Sequence, residues 1–348
     1  MSNFTSTSSS PRLAAEGGLQ TRIRRRSVLA LGAAASVGLA TGTTSAAERL
    51  IVRMDLSPWG VQAAMQLAKQ KGWFQEAGLD VEVQDGTGTI STIQLLGSGQ
   101  VHVGQVQLGP MMVAKESLPN LMSFAGFVRT GDLAVMTDKK LNVKTPKDLI
   151  GKKLICFTTS PWAPFIKPYL AANGIAPEQV NVVMVAPIAV VATFSAGEGD
   201  GFLSVLPDSE PRVRKYRPVS SLLLQDSGIT FPSYGLVATK ETLASRREEL
   251  RKLAQIQVRA WEYIYAGHVD EAVKAIIAER PNAKLDPEVL TNQVEIYRPF
   301  FESPTTKGLK FGVQADADWT AAIRSLEKIG LIKPGHHPSD YYTNDLLK

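Results

Sequence analysis

Residues 50–83 read LIVRMDLSPWGVQAAMQLAKQKGWFQEAGLDVEV. The apolar run at residues 50–55 predicts a strand, and residues 79–83 predict a second one. Between them, apolar residues recur at helical spacing up to Gly72, a residue suited to ending a helix: Val61, Ala64, Met65 and Ala68. The stretch is therefore a strand–helix–strand unit of the kind that builds a parallel-dominated sheet.

The alternation continues beyond this unit. Strands are predicted at residues 101–106 and 121–128, with helices at 89–96 and 109–115. A second, smaller unit follows, opened by Thr145-Pro146-Lys147-Asp148, which has the pattern of a helix start. Its predicted strands are 153–157, 180–185 and 201–205, and its helices are 162–172 and 188–196. After a strand at 234–239, helices are predicted at 241–266, 269–278, 287–301 and 315–329.

Length and composition fit a globular α/β protein with two lobes. The chain has 348 residues, of which 44% are hydrophobic, enough for a large core. Its net charge of +5 is concentrated near the start, where five arginines stand against Glu16 within residues 1–47. Because little net charge remains elsewhere, we expect no nucleic-acid partner.

Residues 1–47 have the pattern of an export signal. Arg25-Arg26-Ser27-Val28-Leu29 resembles the twin-arginine (Tat) motif, and a short apolar stretch and small residues follow it. The Sec route stays open, because Val28 stands where the Tat motif usually has Phe. The apolar stretch is shorter than the roughly 20 residues that span a bilayer. No cysteine follows it for lipid attachment, so we expect a soluble periplasmic protein.

Common catalytic and metal-binding signatures are absent from the sequence. There is no Cys-x-x-Cys, His-Glu-x-x-His, Gly-x-Ser-x-Gly or phosphate-binding loop, and the adjacent His336 and His337 have no clustered ligands around them. We therefore expect no metal, no cofactor and no enzymatic activity. Residues 86–91, GTGTIS, lack the third glycine of a dinucleotide fingerprint, but they open a helix and could hold an anion or simply cap that helix.

Three motifs carry a resemblance to a known family. Residues 71–83 (KGWFQEAGLDVEV), 93–104 (IQLLGSGQVHVG) and 146–153 (PKDLIGKK) resemble, in order and spacing, the signatures of ABC-importer substrate-binding proteins for sulfonates, taurine, nitrate and thiamine pyrimidines. Residues 196–201 (AGEGDG) and the pair Glu210-Pro211 are similar to further elements of that group. The resemblance covers nearly the whole chain after the leader.

The resemblance implies a type II periplasmic binding protein with two α/β lobes, two crossover segments and a ligand cleft between the lobes. Lobe I would comprise residues 48–133 plus 236–348, and lobe II residues 134–235. It also implies delivery of a small molecule to an ABC permease in the inner membrane. The oligomeric state stays open, and a monomer is the default expectation. A small organic anion such as an aliphatic sulfonate or taurine is the first expectation.

Ligands of open α/β sheets bind beyond the carboxyl ends of the strands. We therefore expect ligand contacts at the strand-to-helix turns and crossovers, from Ser57, Trp59, Thr87, Thr89, Gln105, Gln107, Arg129, Thr159, Ser160, Trp162, Phe202, Asp208 and Tyr234. Each tryptophan could instead fill the core, and Arg129 could instead join the lobes through a salt bridge.

Three alternatives stay open at this point. The ligand could be aromatic or pyrimidine-like, since two tryptophans are expected near the cleft and cationic side chains are scarce. The receptor could present its ligand to a sensor instead of a permease. An enzyme resembling the thiamine-pyrimidine synthase has the same fold, but its cysteine-rich motif is absent from this chain, whose one cysteine is Cys156.

Overall fold

The computed structural model describes residues 49–348, which form two mixed five-stranded sheets surrounded by helices. The predicted leader lies outside the described residues. The strands are β1 (Leu50–Arg53), β2 (Val81–Gln84), β3 (Val103–Gln107), β4 (Leu121–Gly126), β5 (Leu133–Asp138), β6 (Lys153–Cys156), β7 (Asn181–Met184), β8 (Gly201–Val205), β9 (Val219–Leu223) and β10 (Tyr234–Thr239).

Thirteen α-helices connect and cover the strands of residues 49–348. They are α1 (Ala63–Gln70), α2 (Trp73–Glu76), α3 (Thr89–Gly97), α4 (Leu108–Ala114), α5 (Ile166–Ala172), α6 (Ala189–Ser195), α7 (Leu206–Val213), α8 (Lys240–Ser245), α9 (Arg247–Tyr265), α10 (Val269–Glu279), α11 (Pro287–Tyr297), α12 (Asp316–Lys328) and α13 (Pro338–Tyr341). None of the helices in this part of the chain is long and apolar enough to cross a membrane.

The first sheet has the strand order β2-β1-β3-β10-β4 and belongs to the first lobe. Strands β2, β1 and β3 run parallel, with Leu50 opposite Val81. Strand β10 is antiparallel to both of its neighbours, because the chain re-enters this sheet from the second lobe. Four of the five strands therefore run in one direction, which confirms the predicted parallel-dominated sheet, and β10 is its one antiparallel strand.

The second sheet, of the second lobe, repeats this arrangement in the order β7-β6-β8-β5-β9. Strands β7, β6 and β8 run parallel, and β5 is antiparallel to β8 and β9. Two connections join the sheets: residues 127–132 lead from β4 to β5, and residues 224–233 lead from β9 to β10. These arrangements confirm the predicted two-lobed α/β fold, while the exact lobe boundaries stay a prediction.

Several helices differ from the sequence prediction. Helix α7 and strand β9 were not predicted, and α7 contains Pro211 in its interior, where a proline normally argues against a helix. The helix predicted at 241–266 is divided at Arg246 into α8 and α9. The Thr145 capping box is present, but it opens only a short 3-10 helix, Pro146–Leu149.

Burial of apolar side chains explains how the lobes are covered. Helices α9 and α10 pack against α1, and α1 buries six consecutive residues from Ala63 to Ala68. In the second lobe, Phe194 of α6 packs on Phe202 of β8, with ring centroids 4.8 Å apart. Segments that follow the carboxyl ends of strands in both lobes line a shared cavity.

Candidate ligand-binding cleft

A cavity of about 340 Å³ lies between the lobes and is lined by both of them. Its walls are strand-to-helix turns at the carboxyl ends of parallel strands, the position where open α/β sheets bind ligands. The first lobe contributes Leu56 and Ser57 after β1, and Gly86 and Thr87 after β2. The second lobe contributes Phe157, Pro187, Ile188, Val190, Val191, Ser204, Asp208, Ser209 and Arg212.

One wall of the cavity is polar and comes from the end of β8 and from α7. The Arg212 guanidinium donates to the Asp208 carboxylate at 2.7 Å, from one helical turn further on. The Ser209 hydroxyl donates to the other carboxylate oxygen at 3.0 Å and lies 2.8 Å from the Ser204 hydroxyl. A cation and an anion thus stand together here, so this wall carries no net charge.

The facing wall of the second lobe is apolar and comes from the β7–α6 turn. Pro187, Ile188, Val190 and Val191 line the cavity here, with Phe157 beside them. Ile188 is 93% exposed, which is unusual for a large apolar side chain. A ligand with an apolar part would cover it and gain the free energy of removing that surface from water.

Two buried carboxylates lie behind the cavity. Asp55 accepts hydrogen bonds from the Tyr234 hydroxyl at 2.6 Å and from Trp59 Nε1 at 3.3 Å. Burial raises the pKa of Asp55 to about 6, although these hydrogen bonds oppose the shift. Asp132 accepts from the Tyr297 hydroxyl at 2.8 Å and from Gln107 Nε2 at 2.7 Å, and burial raises its pKa as well.

The two lobes touch directly at one side of the cavity. Thr159, which follows β6, donates its hydroxyl to the Thr87 carbonyl at 2.5 Å, and its own carbonyl accepts from the Ile90 N–H at 3.3 Å. Gly88 lies under this contact with φ +132°. A Cβ at Gly88 would stand 2.5 Å from the Thr159 Cβ and closer still to its Oγ1 and carbonyl oxygen. The lobes can meet here because residue 88 is a glycine.

The structure brings three of the predicted ligand contacts into the cavity wall, namely Ser57, Thr87 and Asp208. Thr159 lies at the contact between the lobes. Trp59 and Tyr234 are fully buried together with Tyr297, with the Trp59 and Tyr234 rings 5.7 Å apart. These two aromatic residues support the floor behind the cavity and do not line it.

The remaining predicted contacts are buried away from the cavity lining. Thr89 and Ser160 are buried, Gln105 donates to the Val61 carbonyl, Trp162 donates to the Ser204 carbonyl, and Phe202 packs in the core. Arg129 is also buried, and it donates to the carbonyl oxygens of Thr306 and Lys310 in the C-terminal region. Arg129 therefore stabilises the segment that contains Thr306 and Lys310. This role differs from both the ligand contact and the salt bridge between lobes that were expected for it.

Sequence reasoning missed most of the cavity lining. The most important residue that it missed is Arg212, whose positively charged side chain lines the cavity. The spacing of Asp208 and Arg212 on one helical face was the available signal, but it required α7 to be recognised as a helix. The apolar residues from Pro187 to Val191 carry no chemical signature, so only the fold places them in the cavity.

Metal binding finds no support in this part of the chain. Within residues 49–348 no three His, Cys, Asp or Glu side chains are grouped so that they could hold a metal ion. Cys156 is buried at the end of β6, and burial raises the pKa of its thiol to about 11. A thiol with such a pKa is a poor nucleophile at neutral pH.

The two lobes, the crossover segments and the cleft are those of the type II periplasmic binding proteins. The family model described as "NMT1/THI5 like" matches residues 60–272, and the chain belongs to that family. It is similar to the formylaminopyrimidine-binding protein of Halalkalibacterium halodurans, with 24% identity over 289 residues that cover 81% of this chain and 86% of that protein.

Two further comparisons agree with this assignment. The taurine-binding periplasmic protein of Escherichia coli is 28% identical over 127 residues, which cover 36% of this chain and 39% of that protein. The solved structure of the alkanesulfonate-binding protein SsuA from Xanthomonas axonopodis, bound to MOPS, matches with a TM-score of 0.65 at 14% identity. That match covers 85% of this chain and 98% of SsuA, and it confirms the fold.

Proposed function

We propose that this protein is the periplasmic solute-binding component of an ABC importer and that it captures a small organic molecule in the cleft between its lobes. The observation that carries the proposal is a cavity of about 340 Å³ lined by strand-to-helix turns from both lobes. The ligand would be enclosed when the lobes approach about the two crossover segments, and the permease would recognise that closed form. Export through the Tat route and a monomeric state belong to the same proposal.

The polar wall supports a taurine-like ligand more than a bare anion. Arg212 can bind a sulfonate or carboxylate head group. Because Asp208 stands beside it, the site is neutral and also offers an acceptor for an ammonium or another N–H donor. A zwitterion such as taurine uses both groups, whereas nitrate or a plain alkanesulfonate leaves Asp208 unused and close to the added negative charge.

A pyrimidine-like ligand is the second candidate, and the apolar wall favours it. An aminopyrimidine would place its ring against Val190, Val191 and Ile188 and direct its amino group and ring nitrogen to the charged pair. The formylaminopyrimidine-binding relative makes this chemistry a natural comparison. An enzymatic role in pyrimidine synthesis is disfavoured, since the cavity lining contains neither a cysteine nor a histidine.

A thermal-shift experiment on the purified protein tests the proposal and separates the ligand classes. Taurine is compared with ethanesulfonate, 4-aminopyrimidine with pyrimidine, and nitrate serves as the bare anion. A ligand that binds only the folded protein adds about 2.7 kcal/mol of stability at a concentration a hundredfold above its Kd. We expect taurine or 4-aminopyrimidine to raise the melting temperature, and ethanesulfonate or pyrimidine to raise it little. The increase should be lost in Arg212→Gln and in Asp208→Asn. A shift that both variants retain would contradict the assignment of this wall.

A further inference from the structure

Gln293 lies outside the cavity but connects the two lobes directly behind it. Its side chain, on α11, is fully buried. The amide oxygen accepts from the Gly60 N–H at 3.0 Å, in the turn that also contains Ser57. The amide nitrogen donates to the Asp208 carbonyl at 2.7 Å and to the Asp208 carboxylate at 3.1 Å. One amide thus joins the first lobe to the cavity-lining helix α7.

These bonds leave the Asp208 carboxylate little freedom. Gln293 and Arg212 donate to one carboxylate oxygen, and Ser209 donates to the other. Arg212 and Ser209 belong to α7 itself and would move with it, whereas Gln293 belongs to α11. Gln293 therefore holds the Asp208 carboxylate in an orientation that is set by the first lobe.

Packing around Gln293 is tight. A Cβ on Gly60 would stand 2.6 Å from the Gln293 Cβ, so α11 lies directly on the β1–α1 turn. One helical turn later, the Tyr297 hydroxyl donates to Asp132 in the first crossover segment at 2.8 Å. Helix α11 is thereby fixed to the first lobe, to α7 and to a crossover segment through neighbouring turns.

We propose that Gln293 is a positioning residue of the ligand-binding site, which orients Asp208, and through it Arg212, for ligand contact. The proposal rests on the proposed function only in treating the cavity as a ligand site. Its geometry can be tested without any ligand. A failed ligand screen would therefore count against the proposed function and leave this test intact.

Gln293→Glu gives a pH-dependent test. The new carboxyl group would face the carbonyl and carboxylate oxygens of Asp208, which only accept hydrogen bonds, so it must keep a proton to remain there. Burial and the neighbouring carboxylate raise its pKa above the usual value of about 4.3. Stability is then present at low pH and lost as the pH rises through the raised pKa. The charged groups of α7 facing this position are Asp208 and its partner Arg212.

We expect Gln293→Glu to melt close to the wild-type temperature at about pH 5 and several degrees lower at pH 8, after the wild-type pH dependence is subtracted. Asp208→Asn in the same chain supplies an N–H donor to the new carboxylate and should flatten this difference. A loss that is equal at both pH values would mean that position 293 only fills space, and would overturn the proposal.

Side-chain NMR of Arg212 provides the second readout. The guanidinium N–H signal, assigned by its loss in Arg212→Gln, should be sharp and slow to exchange in the wild type and broadened in Gln293→Leu. The matched control is Gln257→Leu, which replaces a buried glutamine of α9 that contacts Met65. If Gln293→Leu does not fold, Gln293→Glu at pH 5 and pH 8 gives the same comparison. An unchanged Arg212 signal in the altered proteins would also refute the proposal.

Discussion

Gly88→Ala is the substitution that should most selectively prevent the lobes from meeting. The added methyl group would overlap Thr159 of the second lobe, which lies within 2.5 Å of the new Cβ position. To relieve the overlap, the lobes must separate at this point. Separation breaks the Thr159–Thr87 and Ile90–Thr159 hydrogen bonds.

The size of the effect follows from these two bonds. Each contributes about 1 kcal/mol to the contact between the lobes. Losing both therefore disfavours the joined form by about 2 kcal/mol. Since 1.4 kcal/mol is a factor of ten in an equilibrium constant, the equilibrium constant for joining the lobes should fall by about thirtyfold. Ligand affinity should fall by a similar factor if binding requires that form.

Double electron–electron resonance measures this change without a ligand. Spin labels can be attached at Gln94→Cys in the first lobe and Glu178→Cys in the second, both of which are exposed. The native Cys156 is buried and should not react. We expect the distance distribution of Gly88→Ala to move to longer distances than that of the wild type.

Gly99→Ala is the matched control. Gly99 also has a positive φ, +71°, but a Cβ there would meet nothing within 4 Å. The control therefore has a positive φ without the overlap between lobes, although alanine is less strained there than at the φ of +132° and ψ of 149° of Gly88. An unchanged label distance in Gly88→Ala, or the same change in Gly99→Ala, would refute the reasoning.

Two further predictions concern the buried charged groups. The pKa of Asp55 is raised from 3.8 to about 6 in the folded protein. The stability that its protonated form contributes is therefore lost as the pH rises from about 4 to 6. Asp55→Asn should remove this pH-dependent change in the unfolding free energy, which is about 3 kcal/mol. Urea unfolding across this pH range measures the slope, and an unaltered slope would contradict the assignment. Arg129→Gln should lower the unfolding free energy by about 2 kcal/mol, because the carbonyl oxygens of Thr306 and Lys310 each lose the hydrogen bond from the guanidinium. It should leave ligand affinity unchanged, and a large loss of affinity at constant stability would instead place Arg129 in the site.

Most of the fold could be predicted from the sequence, because its strands are short apolar runs between clear turn signals. Strands β8 and β10 begin and end at the predicted residues. Helix α7 escaped prediction because the interior Pro211 argues against a helix, which tertiary packing against α11 nevertheless stabilises. The antiparallel position of β10 depends on the return of the chain from the second lobe, which no local pattern records.

The site was less predictable, for a geometric reason. A residue that follows a strand can point into the cleft or back into the core, as Ser57 and Trp59 illustrate two positions apart. Sequence position does not distinguish these directions. Gln293 is 85 residues from Asp208 in the chain, so the hydrogen bonds that fix the cavity carboxylate become visible only in three dimensions.

The most direct test of the central claim is isothermal titration calorimetry with the compound that gives the largest thermal shift. We compare the wild type with Ser57→Trp, which fills the cavity, and with Ser98→Trp, which lies on the exposed surface away from it. We expect one binding site per chain in the wild type and in Ser98→Trp, and no measurable binding in Ser57→Trp. Binding that survives in Ser57→Trp with wild-type affinity would contradict it, because the ligand would then bind outside the cleft between the lobes.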